Sequence, residues 1–197
     1  MKTVLDLPRG VSCNEAEEGV AQLALEIHQH FVANFNRPHC HVFLPSGTGT
    51  TAMFLNRHLQ RLSRTANYSA TTVGVSVAVR PADLLKQIQA QYHDELHGYP
   101  LFSHLTKKRI RFAQPDASVK ATWCTMKRKG LELDLIYGPV AWMSLFEHLP
   151  SLDAENSEIY YIHTGGLTGN DTQLRRYERL SGSQSCPAPS PIPNPVL

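Results

Sequence analysis

His41-Val42-Phe43-Leu44-Pro45-Ser46-Gly47-Thr48-Gly49-Thr50-Thr51-Ala52 decides how this chain is read. A short apolar run enters a loop of glycines and hydroxyls. Met53, Phe54, Leu55, Leu59 and Leu62 then follow at helical spacing. The order is strand, loop, helix. Glycines let a backbone turn tightly and bring its N–H groups near a ligand. The first turn of a helix carries unpaired N–H donors and the positive end of the dipole. Ser46, Thr48, Thr50 and Thr51 add hydroxyls. The combination is suited to a phosphate group. An ordinary strand-to-helix turn has the same composition, so the loop alone leaves both readings open. No lysine follows Gly49, which excludes a P-loop, and the spacing is not G-x-G-x-x-G.

Outward from this stretch, the pattern alternates. Upstream, Val20, Leu23, Ala24, Ile27 and Phe31 mark an amphipathic helix. Asn14 with Glu17 three residues on gives it a capping-box start. Val4 to Leu7 is a strand-like scrap before the turn Pro8-Arg9-Gly10. Downstream, residues 63–70 are polar and loop-like, and residues 71–79 are β-branched and read as a buried strand. Pro81 opens a helix through Leu84, Leu85, Ile88, Tyr92 and Leu96, ended by Gly98-Tyr99-Pro100. Residues 101–117 are ambiguous, with a short strand possible at 109–113. Residues 118–129 suit a helix stopped by Gly130. The alternation in 131–137 suits an extended segment. Pro139 opens a helix expected to turn Trp142, Met143, Phe146 and Leu149 inward. Residues 159–163 form the last strand, running into Thr164-Gly165-Gly166, and 171–180 is weakly helical.

Helices alternating with apolar strands predict an α/β fold with a doubly wound, mostly parallel sheet. Ligands of such sheets sit at the carboxyl ends of the strands. Two of those ends carry glycine and hydroxyl loops here, at 46–51 and 164–166. They converge if their strands are close in the sheet.

Composition narrows the classes. The 197 residues are 42% hydrophobic with a net charge of +2, which suits one α/β domain and gives no reason to expect nucleic acid or membrane partners. Lys107, Lys108, Arg109 and Arg111 cluster without aromatic neighbours and read as a solvated surface. No apolar run approaches spanning length, and the N-terminus has no signal-like core. Cys13, Cys40, Cys124 and Cys186 are scattered, so reduced thiols and a cytoplasmic setting are expected. Residues 181–197 change to Ser, Pro and Gly, with five prolines from Pro187 to Pro195. They are expected to be a disordered tail after an ordered region of 1–180. There is no internal repeat.

Three motifs in this order carry a resemblance: Leu44 to Ala52, Ile136-Tyr137 just before a helix, and Ile162-His163-Thr164-Gly165-Gly166. From about Leu5 to about Leu167 the chain resembles the 1-aminocyclopropane-1-carboxylate deaminase / D-cysteine desulfhydrase family. These are pyridoxal-phosphate lyases and hydrolases of amino-acid metabolism with a tryptophan synthase β-like fold. The resemblance implies pyridoxal 5′-phosphate as cofactor and a small amino acid as substrate. It implies that Ser46, Gly47, Thr48, Gly49, Thr50 and Thr51 hold the phosphate, that Thr164 sets its hydroxyl against the pyridine nitrogen, and that Gly165 is also cofactor-binding. Tyr137 is implied as the catalytic residue facing the substrate. Gly138 follows it where some relatives have an acid, which favours desulfhydrase-type over ring-opening chemistry.

The family's Schiff-base lysine lies before the cradle, in a Ser-Gly-Asn-Lys-x-Arg-Lys type of motif, and this sequence has none. Its turn before the first helix is also altered, at Arg9-Gly10-Val11. The chain therefore reads as the C-terminal, N-terminally truncated part of such a fold. An exposed sheet edge would favour a homodimer, or a segment that completes the fold. A cofactor-dependent deaminase or desulfhydrase and an inactive remnant that binds phosphate weakly are the competing functions. A histidine metal site is the third: His39 and His41 share a strand face, while His28 and His30 diverge on a helix.

Overall fold

The computed structural model describes residues 14–92, 101–103, 117–181 and Cys186. Helix α1 (Ala16–Asn34) precedes strand β1 (His39–Ser46), helix α2 (Thr50–Thr65) and strand β2 (Ser69–Ser76). Helix α3 (Pro81–Tyr92) and strand β3 (Leu101–Ser103) follow. Helices α4 (Ala117–Arg128) and α5 (Gly138–His148), strand β4 (Ser157–Tyr161) and helix α6 (Asn170–Ser181) complete the order. The strands form one parallel sheet in the order β3-β2-β1-β4. The expected α/β, doubly wound architecture is the observed one.

Strand β1 lies at the centre because its side chains alternate between two apolar layers. Val42 and Leu44 pack with Ala24, Ile27 and Phe31 of α1 and with Leu55 and Leu59 of α2. Phe43 faces the other way, with Val73 and Val75 of β2, Val119 of α4 and Leu145 of α5. The chain winds from β1 outward to β2 and β3 and then returns to β4 on the opposite side of β1. The switch point of the sheet is thus β1 itself, the place where α/β folds put their ligands. Strand β2 pairs with β1 along its whole length, whereas β4 reaches only from His39 to Phe43. Leu44, Pro45 and Ser46 run on beyond it. Pro45 has no N–H for a neighbouring strand, and a gap opens at that corner.

Several local expectations change. Helix α1 starts at Ala16 with Glu15 as N-cap and no side-chain cap, so the Asn14/Glu17 box does not form. Glu17 instead accepts hydrogen bonds from Arg57 Nη1 (2.8 Å) and His58 Nε2 (3.0 Å) of α2. Residues 131–137 are irregular, not extended. Helix α5 buries Val140, Ala141, Ser144 and Leu145, leaving Trp142, Met143, Phe146 and Leu149 half-buried. The thiols are not all reduced: Cys124 of α4 is disulfide-bonded to Cys186, with Cα atoms 5.6 Å apart. The tail is therefore tethered at that point. The scrap at Val4 to Leu7, Leu96, the possible strand at 109–113 and the rest of the tail lie outside the described residues.

Burial alone would raise the Glu17 carboxyl, but the Arg57 hydrogen bond and charge, then those of His58, hold it below its ordinary value. A carboxyl more acidic when folded stabilises above its unfolded pKa and loses that stabilisation as pH falls through the folded one. Wild type is expected to exceed Glu17→Gln by about 0.5–1 kcal/mol at neutral pH. In urea unfolding the gap should close as pH falls below the ordinary carboxylate range; a constant gap would contradict the ion-pair account.

Candidate functional site

A cavity of about 530 Å³ opens at the carboxyl end of β1. Pro45, Ser46, Gly47, Thr48, Gly49, Thr50 and Thr51 line one side, with Ala78 after β2, and Tyr137 and Thr164 line the rest. The size falls within the range of small-ligand pockets. Of the residues singled out in the sequence, Ser46 through Thr51, Tyr137 and Thr164 are brought together here. Gly165 does not line the cavity but lies directly behind Thr164.

The loop 46–49 has its shape because Gly49 takes a left-handed conformation, φ 82°. A Cβ there would lie 2.3 Å from Ile88 Cδ1, so α3 leaves room for glycine alone. Gly47 needs no such freedom: a Cβ on it would meet nothing within 4 Å. With Gly49 as N-cap, the first bond within α2 runs from Met53 N–H to Gly49 C=O, 2.9 Å, and no side chain caps the start. The helix thus presents its first turn to the cavity with its dipole unopposed. Thr48 and Thr50 hydroxyls lie 3.1 Å apart, and Thr50 Oγ1 is 3.3 Å from the Tyr92 hydroxyl. Those two side chains already brace the loop. Ser46 differs: it is 4% exposed, and its Oγ is buried without a hydrogen-bond partner. Leaving a buried hydroxyl unpaired costs about 1–3 kcal/mol, and Ser46 is one of the residues that line the cavity.

The far wall depends on a residue the sequence reading passed over. Asp134 is buried, and its Oδ1 accepts the N–H groups of Ile136 (3.0 Å) and Tyr137 (2.6 Å). Its Oδ2 accepts that of Gly138 (2.9 Å). The carboxylate caps α5 from three residues before Tyr137, which stands 37% exposed at the cavity rim. Burial, then the Asp134 charge, raises the Tyr161 phenol, which packs on Trp142 behind this wall. An aspartate shortly before Gly138-Pro139, where a proline opens a helix, was the available signal.

The fold is similar to that of an ACC deaminase homologue. That crystal structure matches with a TM-score of 0.62 at 18% identity, over 86% of this chain and 52% of its own. The chain therefore spans about half the length of the structure it matches. No protein-family profile and no curated sequence matches the chain. No described helix is long and apolar enough to cross a membrane.

No described histidine lines the cavity, and His28, His30 and His39 are engaged with other side chains. His28 Nδ1 is 3.0 Å from the Tyr68 hydroxyl, His30 Nδ1 is 2.8 Å from that of Tyr160, and His39 Nδ1 is 2.6 Å from Ser69 Oγ. Burial holds Tyr68 and Tyr160 up at about 12, so both phenols stay protonated. His41 is lowered by burial and by His39. Cys40, on the same strand, is pushed by burial to about 12 and is no nucleophile at neutral pH. Among the described residues, no three His, Cys, Asp or Glu side chains gather into a metal site.

Proposed function

We propose that the cavity binds the phosphate of pyridoxal 5′-phosphate and that the chain is a deaminase- or desulfhydrase-like protein acting on a small amino acid. The unpaired Ser46 hydroxyl, buried beside an uncapped helix start, carries the reading. A phosphate monoester with nearly two negative charges and strong acceptors would satisfy both at once. In this reading Ser46, the 47–51 backbone and the hydroxyls of Thr48, Thr50 and Thr51 hold the phosphate. Thr164, backed by Gly165, offers its hydroxyl to the pyridine nitrogen, and Tyr137 holds or moves a proton at the substrate. When bound, the cofactor supplies an electron sink, tuned by such contacts.

A second reading is favoured by one observation. Among the described residues that line the cavity, none is a lysine. In that reading the chain binds the phosphate compound reversibly and has no activity of its own. Equilibrium dialysis with pyridoxal 5′-phosphate, followed by borohydride reduction, separates the two. Cofactor that becomes permanently attached supports the enzyme; cofactor that binds, yields to inorganic phosphate and dialyses away supports the second. Absence of any binding overturns both.

Ser46→Ala has a distinctive expected signature. Removing an unpaired buried hydroxyl should leave the ligand-free protein as stable as wild type, or more stable by up to about 1 kcal/mol. Phosphate-ligand affinity should fall about tenfold, the value of one charge-assisted hydrogen bond. Thermal unfolding and dialysis measured on the same sample check both halves. Unchanged affinity would remove Ser46 from the site.

A further inference from the structure

We propose that Asp134 is a positioning residue that ties Tyr137 to Thr164, so that the far wall of the cavity moves as one piece. The two residues come from segments remote in sequence, one before α5 and one after β4. Asp134 lies between them. Its three accepted N–H bonds fix the backbone of 136–138. Its other side is closed by Gly165, where a Cβ would lie 2.2 Å from Asp134 Oδ2 and 2.3 Å from its Cγ. The glycine next to Thr164 therefore rests directly on the carboxylate that orients Tyr137.

Two further contacts join the same segments. His163 Nε2 accepts the Asp134 backbone N–H at 3.3 Å and lies 3.7 Å from Oδ2. Asn170 Oδ1 accepts the Leu135 N–H at 2.7 Å, and its Nδ2 donates to the Leu133 carbonyl at 3.0 Å. The Leu133 carbonyl also accepts Trp123 Nε1–H at 2.8 Å. The segment after β4 thus holds three successive residues, Leu133, Asp134 and Leu135, and the Asp134 carboxylate carries that hold on to 136–138. None of these bonds reaches the 46–51 loop. A change at Asp134 should therefore disturb contacts to the body of a ligand while leaving contacts to its phosphate intact.

The ligand arm of this inference rests on the phosphate reading of the cavity; the exchange arm does not. Asp134→Asn keeps the shape but turns an amide NH₂ toward the Gly138 N–H. Amide exchange is expected to quicken at 136–138 and also at 164–166, with β1 and α2 unchanged. Gly165→Ala, pressing on the same carboxylate from the other side, should quicken exchange at 136–138 in return. Affinity for pyridoxal 5′-phosphate should fall by about tenfold or more in Asp134→Asn, with inorganic phosphate affected less than about twofold. In wild type, pyridoxal 5′-phosphate should slow exchange at both segments together, and inorganic phosphate at neither; this needs no variant to fold. Exchange that quickens at 136–138 alone would show Asp134 to be a helix cap and overturn the proposal, as would an equal loss of both ligands. Wild type that binds neither probe removes the phosphate reading, and the exchange results still decide the role of Asp134.

Discussion

Gly49→Ala is expected to destabilise the protein by about 2–4 kcal/mol, while Gly47→Ala, two residues earlier, changes stability by less than about 0.5 kcal/mol. Two costs act together at Gly49. A side chain in the left-handed region costs about 1–2 kcal/mol. The new methyl would also lie 2.3 Å from Ile88 Cδ1 and 3.0 Å from Cγ1, within a packed contact to α3. Overfilling such a site costs about 1–3 kcal/mol. Ile88 is fully buried and cannot simply swing aside. Any relaxation must move the first turn of α2, so the phosphate binding proposed above should be lost along with stability. Gly47 is exposed, and a methyl there meets open space. Urea unfolding of the two variants side by side is the check. Equal effects would mean that loop composition, rather than the Gly49 backbone, shapes the cradle.

Reduction of Cys124–Cys186 is expected to lower stability by about 2–4 kcal/mol. The bridge spans 62 residues and takes in α5, β4 and α6. Cross-linking a loop of that length restricts the unfolded chain more than the folded one, where those elements are already fixed. Cys124 is fully buried, in one cluster with Trp123, Leu133 and Tyr177, whereas Cys186 is exposed, so only the Cys186 thiol is freed to solvent on reduction. The effect should therefore appear as a cooperative drop in the unfolding midpoint, with Cys186→Ser matching the reduced wild type. A midpoint indifferent to reductant would contradict a stabilising bridge.

These residues show what the sequence carries and what it does not. The cradle was legible because its signals are local: an apolar strand, a glycine loop and an amphipathic helix in unbroken succession. That Thr164 would face it followed from the rule for parallel sheets, once β1 and β4 are neighbours, whereas Tyr137 was implied only by the family resemblance. Residues 131–137 misled because Leu131, Leu133 and Leu135 alternate with Glu132 and Asp134, the pattern of a half-exposed strand. In the fold Leu133 and Leu135 are buried, but so is Asp134, since three backbone N–H groups compensate its carboxylate. A capping side chain reads as polar whether it faces water or not. The Asn14/Glu17 pair misled in the opposite sense. Its spacing fits a local box, yet Glu17 bonds instead to Arg57 and His58 on α2, which no local rule contains. The Cys124–Cys186 pair is likewise a consequence of the tertiary path.

The arrangement of strands around β1 also sets a sequence of events during synthesis. His39 pairs with Ser69 on one flank and with Ser157 on the other. The second closure spans roughly four times as many residues, and at about 0.6 kcal/mol per doubling it costs about 1 kcal/mol more in chain entropy. Everything that shapes the 46–51 side of the cavity, from β1 to α3, leaves the ribosome before the residues that face it. A nascent chain would thus hold a half-built cleft, open on the flank awaiting β4.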